Sequence, residues 1–99
     1  MTFPLPIRVS RRAAAQIEEA AEWWAQNRPA APRAVQQELE RAFSLLAIQP
    51  DLGARALNTR LQGVRRLHLS RIHYHLYYRV TPQGVELLAF WHTSRGPST

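Results

Sequence analysis

Residues 64 to 95 constrain the fold most strongly, because apolar and polar side chains alternate there over several short runs. The stretch contains all four histidines and all three tyrosines of the chain. Successive side chains of a β-strand point to opposite faces of the sheet, so this alternation predicts strands. In the middle run, one face would carry Tyr74, Leu76, Tyr78 and Val80. The opposite face would carry His75, Tyr77 and Arg79. The first set predicts a buried core, and the second predicts a surface that carries chemistry.

Three strands are predicted in this region, at about 64 to 69, 74 to 80 and 85 to 92. Residues 70 to 73 link the first two. Thr81-Pro82-Gln83-Gly84 links the last two, with proline and glycine at positions that suit a type I turn. Short links are typical of antiparallel neighbours, so the three strands should form a meander.

The first half of the chain predicts a short strand and two helices. Residues 5 to 9 alternate, but Pro4 and Pro6 indicate that this strand lies at a sheet edge or is paired irregularly. Ser10 is a suitable N-cap for a helix that runs to about Asn27. A second helix is predicted from about 32 to 48, and an irregular loop from 54 to 63. The predicted buried stripes are Ala14, Ile17, Ala21 and Trp24 on the first helix, and Val35, Leu39, Ala42 and Leu46 with Phe43 on the second.

This order of elements predicts a single α+β domain over residues 1–99, with the topology β-α-α-β-β-β. A helical hairpin should cover one face of a small, mainly antiparallel sheet and leave the other face available. Trp23 and Trp24 are adjacent on the first helix and cannot both face one core. One of the two should therefore lie on a second contact surface, against the other helix or a partner.

The composition points to an acidic or nucleic-acid partner and to no cofactor. The net charge of +6 comes from 13 arginines and no lysine, although a GC-rich coding sequence would also produce this bias. The chain has no cysteine, and His73 and His75 lack a convincing third ligand, so no metal site is expected. Without an apolar run long enough to span a membrane, we expect a soluble cytoplasmic protein.

Four segments in this order resemble the RelE/ParE superfamily of toxins from bacterial type II toxin-antitoxin modules. They are Leu-Ala-Ile-Gln-Pro-Asp-Leu-Gly at 46 to 53, Gly-Val-Arg-Arg-Leu at 63 to 67, Tyr-His-Leu-Tyr-Tyr-Arg-Val at 74 to 80, and Leu-Ala-Phe-Trp-His-Thr-Ser-Arg at 88 to 95. The resemblance covers nearly the whole chain, and the Tyr-Tyr-Arg-Val strand is closer to the ParE side.

The resemblance implies a growth-inhibiting toxin that a cognate antitoxin blocks by wrapping its C-terminal segment around it. ParE-like members inhibit DNA gyrase and take part in plasmid stabilisation. RelE-like members are endoribonucleases that cleave mRNA on the ribosome. A third possibility is a decayed toxin that only binds its antitoxin and acts as a corepressor. In each case, the protein would bind operator DNA only through the antitoxin.

If the chain is a ribonuclease, it must cleave RNA without a metal, using a general base, a general acid and cations for the phosphate. The candidate catalytic residues are His75, Tyr77, Arg79 and His92, and the candidate contacts to phosphate or target are Arg65, Arg66, His68 and Arg95. His68 and His75 could equally be cross-strand neighbours without a catalytic role. His75 stands near a position where some RelE-like enzymes carry arginine.

The predicted antitoxin contacts are Trp23, Trp24, Arg79 and Trp91. Aromatic and arginine side chains dominate the energetics of many protein interfaces. A toxin with a net charge of +6 should therefore bind an acidic, amphipathic C-terminal segment of the antitoxin. Arg79 is an equally good candidate for contact with phosphate.

Overall fold

A computed structural model describes residues 4–57 and 59–94 of the chain. The elements follow one another as β1 (Ile7–Val9), α1 (Arg11–Asn27), α2 (Ala34–Ile48), β2 (Ala54–Arg55), β3 (Arg65–Leu69), β4 (Tyr74–Thr81) and β5 (Gly84–His92). The two helices pack on a mixed five-stranded sheet. The predicted α+β class and the order of the predicted elements are confirmed, with β2 as an addition.

The strands lie side by side in the order β1-β5-β4-β3-β2. β3, β4 and β5 form the predicted antiparallel meander. β1 lies at one edge, as its prolines predicted, and runs parallel to β5. β2 occupies the other edge with two residues paired to β3, inside a segment predicted to be a loop. Two residues are too few to produce a recognisable alternation.

The N-terminus of α1 is fastened to the outer edge of β5. The Ser10 hydroxyl caps the helix by accepting from the Ala13 N–H at 3.1 Å. The backbone N–H of Ser10 donates to the Leu87 carbonyl at 3.0 Å, and the Ser10 hydroxyl donates to the Leu88 carbonyl at 3.3 Å. Further along the helix, the Gln16 side-chain oxygen accepts from the Phe90 N–H at 2.8 Å. Since β1 pairs with β5 only as far as Leu87, these polar groups of α1 continue the pairing of that edge.

The main core lies between the helices and one face of the sheet. The α2 stripe is the predicted one, with Val35, Leu39, Ala42 and Leu46 buried and Phe43 packed against them. On α1, the buried alanines are Ala13 and Ala20, whereas the predicted Ala14 is exposed. Ile17, Ala21 and Trp24, the other three residues of the predicted stripe, pack against the core as expected. In an alanine-rich helix, the apolar pattern does not distinguish neighbouring alanines.

Glu38 is a carboxylate that the α2 pattern does not explain, since it is only 8% exposed. It accepts from Arg71 of the β3–β4 turn at 3.4 Å, and Arg41 lies 3.8 Å away. The buried charge is thus paired with arginine, as burial of a carboxylate requires. The contact joins α2 to the turn between two strands.

Gly53 holds the turn after α2 against the sheet. Its N–H donates to the buried Tyr78 hydroxyl at 2.8 Å, and its carbonyl accepts from the Arg65 guanidinium at 2.7 Å. A Cβ at this position would lie 2.8 Å from the Tyr78 hydroxyl and 2.9 Å from the Arg66 carbonyl. Only glycine therefore fits without displacing the sheet backbone.

We expect Gly53→Ala to lower the free energy of unfolding by about 3 kcal/mol, because the added methyl overlaps backbone and disrupts two hydrogen bonds. The matched control is Gly63→Ala. Gly63 has a φ of +75° and no atom near its missing Cβ, so that variant should cost only about 1 kcal/mol of backbone strain. Urea unfolding followed by circular dichroism measures both. Equal losses in the two variants would show that the contact with the sheet is unimportant.

Candidate functional site

The sheet face opposite the helices brings together most of the polar residues predicted to share a site. Arg66 of β3 stands opposite Tyr77 of β4, and His68 stands opposite His75. The His68 and His75 ring centroids are 5.1 Å apart, and those of His75 and Tyr77 are 6.1 Å apart. Arg66 and His68 therefore share the face of His75 and Tyr77. We call this surface the open face.

His75 is held in its neutral form on the open face. Partial burial lowers the pKa of its imidazole first, and the nearby positive charges of Arg66 and His68 lower it further. At neutral pH the ring is therefore uncharged and able to accept a proton. The neutral ring can act as a general base, but it carries no positive charge with which to bind phosphate.

Tyr77 was predicted to lie on a chemically active surface, but its side chain is only 8% exposed. It packs with Val64 and Ala89 in a second, small apolar cluster, to which Ala56 and Trp91 contribute partly buried surface. The segment that precedes β3 supplies Ala56 and Val64, so it covers part of the open face. The alternation identified the face of Tyr77 correctly but could not show that a loop covers it.

Arg79 is already paired within the chain. Its Nε donates to the Glu86 carboxylate at 2.8 Å, and the two residues stand opposite each other on β4 and β5. The strand register therefore places Glu86 on the open face, which the sequence alone left undetermined. A charge neutralised in this way is less available to phosphate or to an acidic partner.

His92 lies on the other side of the sheet from His75. It stands opposite the core residue Tyr74, and the two rings meet edge to face at 5.1 Å. Its Nδ1 accepts from the Ser94 N–H at 3.1 Å. It is the last residue of β5, as the predicted strand end at 92 implies, but it does not join the other candidate catalytic residues on the open face. The predicted catalytic set is thus divided between the two faces.

The predicted phosphate contacts are divided as well. Arg66 and His68 lie on the open face, whereas Arg65 points to the helix side and donates to the Gly53 carbonyl. The open face therefore keeps one predicted arginine besides Arg79. Arg95 lies outside the described residues.

The two adjacent tryptophans of α1 lie in different environments, as their positions in the sequence required. Trp24 packs against the main core, while Trp23 remains 46% exposed. Trp23 and Trp91 line one cleft of about 240 Å³ between α1 and the end of β5. Tyr74, Phe90 and His92 also line it, together with the carboxylate of Glu19. Of the four predicted antitoxin contacts, Trp23 presents its side chain to this cleft. Trp91 pairs with His75 and packs in the apolar cluster of the open face, and Trp24 and Arg79 lie elsewhere.

Sequence reasoning did not find the cleft. Gln16, Glu19 and Ser94 face it from two elements far apart in the chain, and none of them forms a local motif. Only the Trp23-Trp24 pair indicated that this side of α1 contacts something besides the core. The parallel pairing of β1 with β5, which brings α1 to this edge, is a tertiary feature.

No group of three or more histidine, aspartate or glutamate side chains that could hold a metal ion occurs in residues 4–57 and 59–94. Within the same residues, no helix is both long and apolar enough to cross a membrane.

Comparison with known proteins places the chain in a family. Residues 7–97 match the model of the ParE toxin of the type II toxin-antitoxin system, parDE. No curated protein matches significantly.

Three solved structures share the fold. The chromosomal ParDE system from P. aeruginosa is 22% identical, with a TM-score of 0.73 over 91% of this chain and 97% of that chain. The RelBE2 toxin-antitoxin complex from Mycobacterium tuberculosis is 22% identical, with a TM-score of 0.64 over 90% and 98%. The E. coli DinJ-YafQ complex is 16% identical, with a TM-score of 0.62 over 90% and 92%.

These matches confirm the predicted RelE/ParE fold and its closeness to ParE. Because the family model covers all but the ends of the sequence, the chain belongs to the ParE toxin family of type II toxin-antitoxin systems.

Proposed function

We propose that this toxin arrests growth by binding DNA gyrase, and that a cognate antitoxin neutralises it. Membership of the ParE family supports this target over mRNA. The observation that carries the proposal is the division of the ribonuclease set. His92 lies on the helix side of the sheet, and Arg79 on the open face is paired with Glu86 at 2.8 Å.

A ribonuclease needs its base, its acid and its cations around one phosphate. On the open face, His75 could accept a proton, but Tyr77 is buried in an apolar cluster and the charge of Arg79 is compensated. Arg66 is then the one predicted arginine of this face without an ion pair to a described residue. Such an arrangement suits contact with a protein better than cleavage of a phosphodiester.

The runner-up is a ribosome-dependent endoribonuclease. The neutral His75 favours it, because the ring lies beside Arg66 and His68 and could take a proton from a ribose 2′-hydroxyl. A toxin that has lost its target and only binds its antitoxin is the third reading. The experiments below separate the three.

The proposed antitoxin has an acidic, amphipathic C-terminal segment. The three solved relatives come from toxin-antitoxin systems, two of them described as complexes. Several exposed arginines of this chain make no ion pair with a described residue: Arg8, Arg11, Arg33, Arg55 and Arg60. They leave a positive surface for an acidic partner. We expect the complex to form in the cytoplasm and to reach operator DNA through the antitoxin.

Purified toxin should inhibit supercoiling of relaxed plasmid by gyrase and leave transcripts intact on translating ribosomes. His75→Gln should retain the inhibition to within about twofold. If the chain is a ribonuclease, the same change should instead reduce transcript cleavage by about 10²-fold or more. Unimpaired supercoiling at saturating toxin would refute the gyrase proposal, and unimpaired growth with retained antitoxin binding would indicate the decayed toxin.

Trp23→Ala should weaken antitoxin binding by about 30-fold, since a half-buried aromatic anchor at an interface contributes about 2 kcal/mol. Leu45→Ala is the control, because Leu45 is a large apolar residue of α2 with a similar exposure of 40%. It should change the affinity by less than about threefold. Isothermal titration calorimetry with the purified antitoxin provides both values. An equal effect of the two substitutions would remove Trp23 from the interface.

The lowered pKa of His75 makes stability depend on pH in a defined direction. The unfolded chain titrates near the ordinary histidine pKa of about 6.5 and binds the proton more readily than the folded chain. Stability should therefore fall as the pH decreases through that value. Urea midpoints between about pH 7.5 and 5.5 should fall more for the wild type than for His75→Gln. His73→Asn, at an exposed position with a φ of 61°, should behave as the wild type does. Parallel curves for all three proteins would contradict the placement of His75.

A further inference from the structure

His68 and His75 form a cross-strand pair on the open face. The register of β3 and β4 places the two residues directly opposite each other. Opposed residues of an antiparallel pair have Cβ atoms about 4.5 to 5.5 Å apart, so their side chains can reach one point in front of the sheet. His68 is exposed and His75 is partly buried, so both rings can be reached from solvent. In the sequence the histidine nearest to His75 is His73, but the strand pairing brings His68 to its side.

The spacing of these two rings matches that of a pair of histidines bound to one metal ion. The ring centroids are 5.1 Å apart. When two imidazoles bind one tetrahedral Zn²⁺ through bonds of about 2 Å, their ring centres lie about 5 Å apart. The rings meet edge to face at an interplanar angle of 66°. Rotation about χ2, a torsion with broad minima in histidine, can turn one nitrogen of each ring toward a shared ion while the ring centres and the backbone move little.

The groups that face His75 favour the protonation state that a metal requires. Imidazole binds a metal ion only in its neutral form. Partial burial lowers the pKa of His75 first, and Arg66 and His68 lower it further, so the ring is uncharged at neutral pH. On the other side of His75, β5 presents the uncharged side chain of Trp91. The charge of Arg66 repels a bound cation as well as a proton, so it should limit the affinity of the pair for a metal ion.

We propose that His68 and His75 together bind one divalent transition-metal ion of the Zn²⁺ class, with water in the remaining coordination positions. Imidazole suits Zn²⁺, Cu²⁺ and Ni²⁺, whereas Mg²⁺ and Ca²⁺ prefer oxygen ligands. Within residues 4–57 and 59–94, no third histidine, aspartate or glutamate joins the pair. The site is therefore an open one with two protein ligands. It goes beyond the proposed function, because it requires neither gyrase nor an antitoxin.

The direct test titrates the full chain, freed of metal with a chelator, with Zn²⁺ at about pH 7.5, where imidazole is neutral. Long-range nitrogen-proton NMR spectra of the imidazole rings identify the histidines that bind the ion, and isothermal titration calorimetry measures the affinity. We expect the ring signals of His68 and His75 to shift together. Mg²⁺ at the same concentration should leave both signals unchanged, because it prefers oxygen ligands.

Variants assign the ion to the pair. His68→Gln and His75→Gln should each weaken Zn²⁺ binding by at least about tenfold, because either change leaves a single imidazole in place of two linked ones. The double variant should lose no more than about threefold beyond either single variant, since the two histidines act as one unit. The matched control is His73→Asn, at an exposed position with a φ of 61° that asparagine tolerates, and it should leave the affinity unchanged. Arg66→Gln should tighten binding by about threefold, because it removes the repelling charge.

Three results would overturn the proposal: unchanged affinity in either single variant of the pair, fully additive losses in the double variant, or an equal loss in His73→Asn. The last would show that Zn²⁺ binds exposed histidines one at a time. Damage to the fold cannot imitate the expected pattern, because Arg66→Gln should produce a gain of affinity. If Zn²⁺ binds as expected while supercoiling by gyrase is unimpaired, the proposed target fails and the metal site stands.

Discussion

The pairing of β5 on both of its edges is the constraint from which the rest of the architecture follows. One edge carries β4 over the whole strand, and the other carries β1 only as far as Leu87. Beyond that point Ser10 and Gln16 supply the polar groups that β5 requires. Side-chain bonding to an exposed sheet edge also protects it from pairing with another chain. Beyond these side-chain hydrogen bonds, the aromatic cleft lies between α1 and the end of β5.

The two faces of the sheet consequently differ in character. On the helix side, the floor of the cleft is continuous with the main core, so its aromatic rings are held by packing. The open face is charged, but its charges are partly compensated within the chain, as Arg79 and Glu86 illustrate. A rigid, compensated surface is better adapted to docking than to stabilising the charge that develops on a phosphate during cleavage.

Much of the fold could be predicted because its local patterns agree with the tertiary structure. The α2 stripe and the Ser10 cap each specify a local structure that packing retains. The alternation of β4 does so at Tyr74, Leu76 and Tyr78, but Val80 is 49% exposed. Other features have no local signal. A bulge between Tyr77 and Tyr78 shifts the register opposite Leu88, within an apolar run of β5 that has no alternation of its own. The side of the sheet that His92 occupies is set by this shift, so the sequence could not reveal that His75 and His92 are separated.

The parallel pairing of β1 with β5 joins the first strand to the last, and Ser10 bonds to Leu88 across 78 positions. β5, which pairs with both β1 and β4, follows both of them in the chain. A nascent chain that has not yet reached Gly84 has no partner for β1, no edge for α1 to cover and only one wall of the cleft. Contacts so distant in sequence form late, because closing a long loop costs entropy before any contact compensates for it. The sheet edge and the cleft can therefore form only after β5 has been synthesised.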